Sequence, residues 1–179
     1  MKIHKHWLNP AQHTPSPNAD SRPNEKDISL IVIHCISLPE GHFATPHITE
    51  LFTNQLKACD HPSFAEICTL KVSSHILIAR TGEITQYVPF NQRAWHAGVS
   101  NYCGRTQCND FSIGIELEGT DHSLYTTEQY QQLSQLIKCL IKYYPNLTNK
   151  GITGHSDIAP DRKTDPGKFF DWELFKSSL

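Results

Sequence analysis

Apolar positions along this chain change period several times, and each change marks an element. Residues 28–35 (ISLIVIHC) form a short, mostly β-branched apolar run that predicts a strand covered on both faces. His34 stands at its carboxyl end. Thr45 and Pro46 can cap and start a helix, because Ile48, Leu51, Phe52 and Leu56 then recur at helical spacing. Residues 72–80 and 84–88 are strand-like runs joined by Thr81-Gly82-Glu83, which predicts an antiparallel hairpin. Residues 112–118 (SIGIELE) alternate, with Ile113, Ile115 and Leu117 on one face and Gly114, Glu116 and Glu118 on the other. That pattern predicts one core face and one face carrying carboxylates.

Thr126 with Gln129 has the form of a capping box, and Tyr130, Leu133, Ile137, Leu140, Ile141 and Tyr144 follow as an apolar stripe ended by Pro145. A short strand is expected near Ile152 and a closing helix around Trp172 and Phe175. Residues 1–27 carry Pro10, Pro15, Pro17 and Pro23, so they are expected to be an irregular segment wrapping the surface. Residues 91–110 have neither period, and a long polar and aromatic connection of this kind is expected to border a cleft. Mixed strands and helices imply an α/β fold with a central sheet, and 179 residues suit one domain spanning 1–179.

Charge and cysteine content narrow the classes. Lys plus Arg number 16 and Asp plus Glu 18, a net charge of -2 that gives no general attraction for nucleic acid or an anionic membrane. The first residues lack the apolar run of a signal peptide, and no stretch approaches the roughly 18 apolar residues of a membrane span. A soluble cytoplasmic protein, a monomer, is the expectation. Six cysteines and no CxxC are then expected as reduced, mostly buried thiols.

The candidate chemistry lies in His34, His155 and Asp165, two imidazoles and a carboxylate that could hold one zinc with a fourth coordination position open. His34 lies where open α/β sheets place their sites. His155 and Asp165 bracket a loop also carrying Asp157, Asp161, Arg162 and Lys163. On spacing alone that loop reads first as solvated surface, since no HExxH or other compact zinc pattern occurs. Glu116 is the natural proton acceptor beside such a zinc, with Glu118 on the same face as competitor. Lys163 is a candidate cation for an oxyanion. Strand alternation points Cys35 away from the His34 face. Cys103, Cys108 and His96 form a second conceivable metal cluster, and it lacks a fourth ligand.

Taken together, IVIHCISLPEG, EITQYVPF, RAWHAGVS, NDFSIGIELEGTD and GHSDIAPDRKTDPG resemble the cytoplasmic 1,6-anhydro-N-acetylmuramoyl-L-alanine amidases of bacterial peptidoglycan recycling, within the wider zinc amidase and peptidoglycan recognition protein family. The resemblance spans about Ile31 to Trp172. It implies an α/β fold with a central mixed β-sheet flanked by helices, Zn2+ on His34, His155 and Asp165, Glu116 as catalytic acid and base, Lys163 as transition-state stabiliser, and an anhydromuropeptide as substrate. Trp95 is expected to stack on a sugar, and Lys71, Arg105 and Arg162 to meet stem-peptide carboxylates. Lys71 and Gln107 stand where arginines are common in such relatives, and Cys35 where asparagine is. A lysine lacks the bidentate grip of an arginine, so peptide preference is open to change here. Rival readings are an amidase of intact cell wall, a non-catalytic peptidoglycan-binding module, and a zinc-stabilised interaction domain with four closed ligands.

Overall fold

The two longest strands, one marked by its continuous apolar run and the other by its alternation, lie side by side in a sheet. The computed structural model describes residues 1–179. In chain order it contains β1 (Lys2–His4), β2 (Trp7–Asn9), β3 (Gln12–His13), β4 (Ala19–Ser21), β5 (Leu30–Ile36), α1 (His47–Phe52), β6 (Ile76–Ile78), β7 (Ile84–Gln86) and β8 (Gln92–Ala94). There follow β9 (Asn101–Tyr102), β10 (Arg105–Thr106), β11 (Ser112–Glu118), α2 (Thr127–Tyr143), β12 (Ile152–Gly154), α3 (His155–Ile158) and α4 (Trp172–Ser177). The main sheet has the order β12-β5-β11-β6-β7-β3. β12, β5, β11 and β6 run parallel, β7 turns antiparallel to β6, and β3 lies parallel to β7. The sheet is central, as the alternation of patterns predicted, and mixed with flanking helices, as the resemblance implies.

Strand parity divides the core in two. Ile31 and Ile33 of β5, Ile113, Ile115 and Leu117 of β11, and Ile76 and Ile78 of β6 pack against Leu133, Leu136, Ile137 and Leu140 of α2. Burying each such side chain stabilises the fold by about 1.5–3 kcal/mol. The capping box at the start of α2 is formed: Gln129 N–H donates to Thr126 Oγ1 at 3.1 Å and Thr126 N–H to Gln129 Oε1 at 3.1 Å.

The opposite face is covered in two separate patches. Toward one side Ile48, Leu51 and Phe52 of α1 pack with Leu77, Phe64 and Tyr87. Toward the other, Leu30 and Val32 pack with Ala97, Cys108, Phe111 and Ile158. His34 pairs in register with Glu116, and Glu116 with Leu77, so both polar residues sit on this second face. They occupy the gap between the patches.

Several expectations are corrected. Residues 1–27 are not irregular: β1 and β2 form a hairpin, β3 adds to the main sheet edge, and β4 pairs antiparallel with β8. Proline tolerates edge positions, and strands of two or three residues leave too little alternation to read. The face of β11 carrying Gly114, Glu116 and Glu118 is buried, not solvated, because β11 is flanked on both edges and covered on both faces. The expected 72–80 strand shortens to Ile76–Ile78, and before it Ser73 N–H donates to Trp95 O and His75 N–H to Gly114 O. α1 ends at Phe52, after which Asn54 takes a φ of 60°. All six cysteines are free thiols, as expected, but only Cys108 is fully buried, and Cys59 and Cys103 are exposed.

Candidate active site and metal centre

Three chain segments meet at the carboxyl ends of the parallel strands. β5 brings His34, the junction of β12 and α3 brings His155, and the loop after α3 brings Asp165. That loop is tied down by Ser156 N–H donating to Asp165 O at 2.9 Å. His34 Nδ1 lies 2.9 Å from His155 Nδ1 and 2.9 Å from Asp165 Oδ2, and His155 Nδ1 lies 3.1 Å from that same oxygen.

This triangle suits a cation. His155 Nε2 is 3.1 Å from Ala97 O, and a carbonyl only accepts, so the ring proton is on Nε2 and Nδ1 presents a lone pair. The three ligand atoms thus crowd together with at most one proton, on His34, to share. An ion at the centre removes the remaining lone-pair repulsion. Zinc bonds of about 2.0–2.1 Å in tetrahedral array give ligand separations near 3.3 Å, close to those observed. The donor set of two imidazole nitrogens and one carboxylate oxygen suits zinc by chemistry as well.

Burial pulls the His34 imidazole down to about 4, against the opposing pull of Asp165, which keeps the ring neutral near pH 7. A neutral imidazole beside an ionised carboxylate is the protonation state that ligation requires.

Glu116 and Glu118, indistinguishable by alternation, have opposite surroundings. Glu118 accepts from Ala44 N–H at 2.6 Å and Arg80 N–H at 3.0 Å, so its carboxylate holds two loops together. Glu116 Oε2 is buried and has no hydrogen-bond partner. Burial, reinforced by the Asp165 charge and opposed by Lys163, raises the Glu116 carboxyl well above its ordinary range. Both His34 and Glu116 line a cleft of about 290 Å³ together with His155, Lys163, Asp165 and Trp95. Its other wall is apolar, with Leu38, Leu51, Phe52, Ile67, Leu70 and Val72. A larger groove of about 700 Å³ between the amino-terminal strands and α2 brings together no such set of titratable groups.

The expected substrate contacts separate. Trp95 lines the cleft, and exposed Lys71 stands at its rim between the lining residues Leu70 and Val72. Arg105 does not reach it. Its guanidinium pairs with Asp27 at 2.6 Å and lies 3.7 Å over the Phe111 ring, beside the amino end of β5. Arg162 donates to Ala97 O at 2.6 Å and Val99 O at 2.8 Å, pinning the loop whose Ala97 carbonyl orients His155. It acts on the loop and not on the cleft. Gln107 is exposed, in left-handed conformation at the start of the 3-10 turn 108–110.

The second metal cluster conceived from Cys103, Cys108 and His96 does not form. Cys108 is buried in the small core with Phe111, and His96 turns instead to His34, with its Nδ1 2.9 Å from His34 Nε2. This placement was not legible in the sequence, where His96 is one of eleven histidines. Cys35 packs against the α2 side of the sheet, as alternation predicted, with its thiol 3.3 Å from Asp121 Oδ1.

The N-acetylmuramoyl-L-alanine amidase family matches residues 24–168. The 1,6-anhydro-N-acetylmuramyl-L-alanine amidase AmpD of Escherichia coli is 57% identical over 176 residues, covering 98% of this chain and 96% of its own. Its counterpart in Haemophilus influenzae is 51% identical over 177 residues, 99% of this chain and 96% of its own. A crystal structure of a selenomethionine AmpD derivative superposes with a TM-score of 0.97 at 54% identity, covering 100% of this chain and 99% of that one. The amidase AmiD from E. coli, in complex with anhydro-N-acetylmuramic acid-L-Ala-D-gamma-Glu-L-Lys, gives a TM-score of 0.61 at 30% identity, covering 96% of this chain and 60% of that one.

Proposed function

Because this chain belongs to the N-acetylmuramoyl-L-alanine amidase family, we propose that it hydrolyses the amide between the lactyl group of 1,6-anhydro-N-acetylmuramic acid and the L-alanine of the stem peptide. The setting of that reaction is peptidoglycan recycling in the cytoplasm, carried out by a monomer with residues 1–179 acting as one domain. The observation that carries the reading is a convergent triangle of ligand atoms facing a buried, unpartnered carboxylate oxygen in one cleft. The names and substrates of the AmpD and AmiD relatives support the choice of amide.

In this reading His34, His155 and Asp165 hold one zinc ion, which when bound supplies Lewis acidity toward the scissile carbonyl and toward water. Glu116 takes the proton of the attacking water at its free Oε2. A raised carboxyl suits that task, because the acid formed can then return its proton to the departing nitrogen, and an amine leaves only once protonated. Lys163 presents its ammonium to the oxygen that gains charge as the carbonyl carbon becomes tetrahedral. Trp95 offers a ring face to the sugar, and Lys71 meets a stem-peptide carboxylate from the rim as a single point charge.

The deciding experiment measures metal content and cleavage of soluble anhydromuropeptides and of intact sacculi, before and after chelation. One zinc per chain, activity on the soluble fragments, loss on chelation and recovery with zinc are expected. Activity that survives removal of the metal would sink the zinc reading. Preference for sacculi would move the substrate to intact wall, and a tightly bound zinc without cleavage would make the protein a binding module.

A further inference from the structure

His34 can ligate a metal through Nδ1 only if its ring proton sits on Nε2, and a buried N–H needs an acceptor. Nδ1 of His96, 2.9 Å away, is the acceptor the structure provides. Accepting there puts the His96 proton on Nε2, which lies 3.1 Å from Ser112 Oγ. The relay returns to β11, two registers along from Glu116, so one strand carries both its end point and the carboxylate.

The seat of His96 is built into the sheet. A Cβ on Gly114 would lie 2.5 Å from His96 Cγ and 2.7 Å from its Nδ1, so any larger residue at 114 displaces the ring. Gly114 shares its sheet face with Glu116 and, through the register, with Val32 and His34. The loop holding His96 is fixed independently, as Asn109 Oδ1 accepts from His96 N–H at 3.2 Å and Ala97 N–H at 2.8 Å.

We propose that His96, seated on Gly114 and backed by Ser112, is a positioning residue that sets the His34 tautomer and thereby presents its Nδ1 to the metal. This rests on the assignment of His34 as a ligand in the proposed function. His96 lines the same cleft as His34 and Glu116, and the role assigned to it is toward the His34 ring. Its effect is on metal affinity and on turnover only through the metal.

Three variants and one spectrum test it. His96→Phe keeps a ring of similar size without the acceptor, and His96→Asn places an amide oxygen near the Nδ1 position. Outer partners of ligating histidines are typically worth about 10–100-fold in metal affinity. Chelator competition on the whole protein should therefore show zinc affinity falling by about that factor in His96→Phe and largely recovering in His96→Asn. Gly114→Ala, which displaces the ring, should lose affinity as His96→Phe does. In the zinc-loaded wild type, nitrogen-15 long-range spectra should show Nε2–H tautomers for both His34 and His96, a readout that needs no variant to fold. Wild-type affinity in His96→Phe, equal losses in His96→Phe and His96→Asn, or an Nδ1–H tautomer at His96 would each overturn the proposal. A wild-type protein that binds no zinc through His34 would instead overturn the ligand assignment.

Discussion

At the scale of single residues, partnership separates groups that look alike in the chain. Glu118 is consumed by two backbone donors and Glu116 is left with a bare oxygen. Glu116→Ala is expected to fold, retain zinc and lose about 10²–10⁴-fold in kcat, the usual contribution of general acid and base catalysis. Lys163→Ala should lose about 10²–10³-fold, as for one oxyanion donor. Unchanged turnover in either, at full metal loading, would remove that residue from the mechanism. Their coupling adds a prediction about pH. The base works as the carboxylate, so activity falls as pH drops through the Glu116 pKa, which burial raises and Lys163 lowers. In Lys163→Ala the residual acid limb of kcat/KM should therefore move to higher pH, and a limb that stays or moves down contradicts the coupling. Glu118→Gln should lose about 1–3 kcal/mol in denaturant unfolding, the cost of an impaired buried acceptor, with zinc affinity kept.

Elements place these residues through parity and termination. The alternation of β11 was readable, and it correctly separated Ile113, Ile115 and Leu117 from Glu116 and Glu118. That the carboxylate face is covered and not solvated was not readable, because that depends on what packs over β11 from α1 and from the 97–111 segment. α2 was legible to its caps, since a capping box and a 3.6-residue stripe are local signals. Thr126 also donates to Arg80 O at 2.8 Å, so Thr126→Ala gives up a tertiary bond along with the cap. It should cost about 1–2 kcal/mol by thermal or denaturant unfolding. A loss below a few tenths would show the cap to be irrelevant. The amino-terminal strands were missed for the converse reason: β3 and β4 exist by pairing with β7 and β8, some 70 residues away, and carry almost no local pattern.

Across the whole molecule, the cleft is the place where the second sheet face is left uncovered between two small cores. Arg22, nearly inaccessible, draws the amino-terminal segment onto the wall behind it, donating to Phe90 O, Asn109 O, Asp110 O and Ser112 O. Hydrogen bonds from a charged group contribute about 1.5–3 kcal/mol each in isolation and are not additive. Arg22→Ala should destabilise by at least about 3 kcal/mol on that basis, and an unfolding midpoint within error of wild type would contradict it. The zinc assignment makes a global prediction too, because a ligand that binds only the folded state raises Tm. Chelation should lower Tm, and His155→Ala should abolish that difference. What the sequence determined alone were the elements with local periodicity, the parity placing His34 and Glu116 on polar faces, and, through its motifs, the family. Those follow from residues within a turn or a strand of one another. Only the tertiary structure decided that Glu116 and not Glu118 is free, that Arg105 and Arg162 are spent on other partners, and that His96 stands behind His34. Each of those depends on groups 38 to 78 positions apart meeting in space, where a hydrogen-bond partner decides whether a side chain holds the fold together or remains available to the cleft.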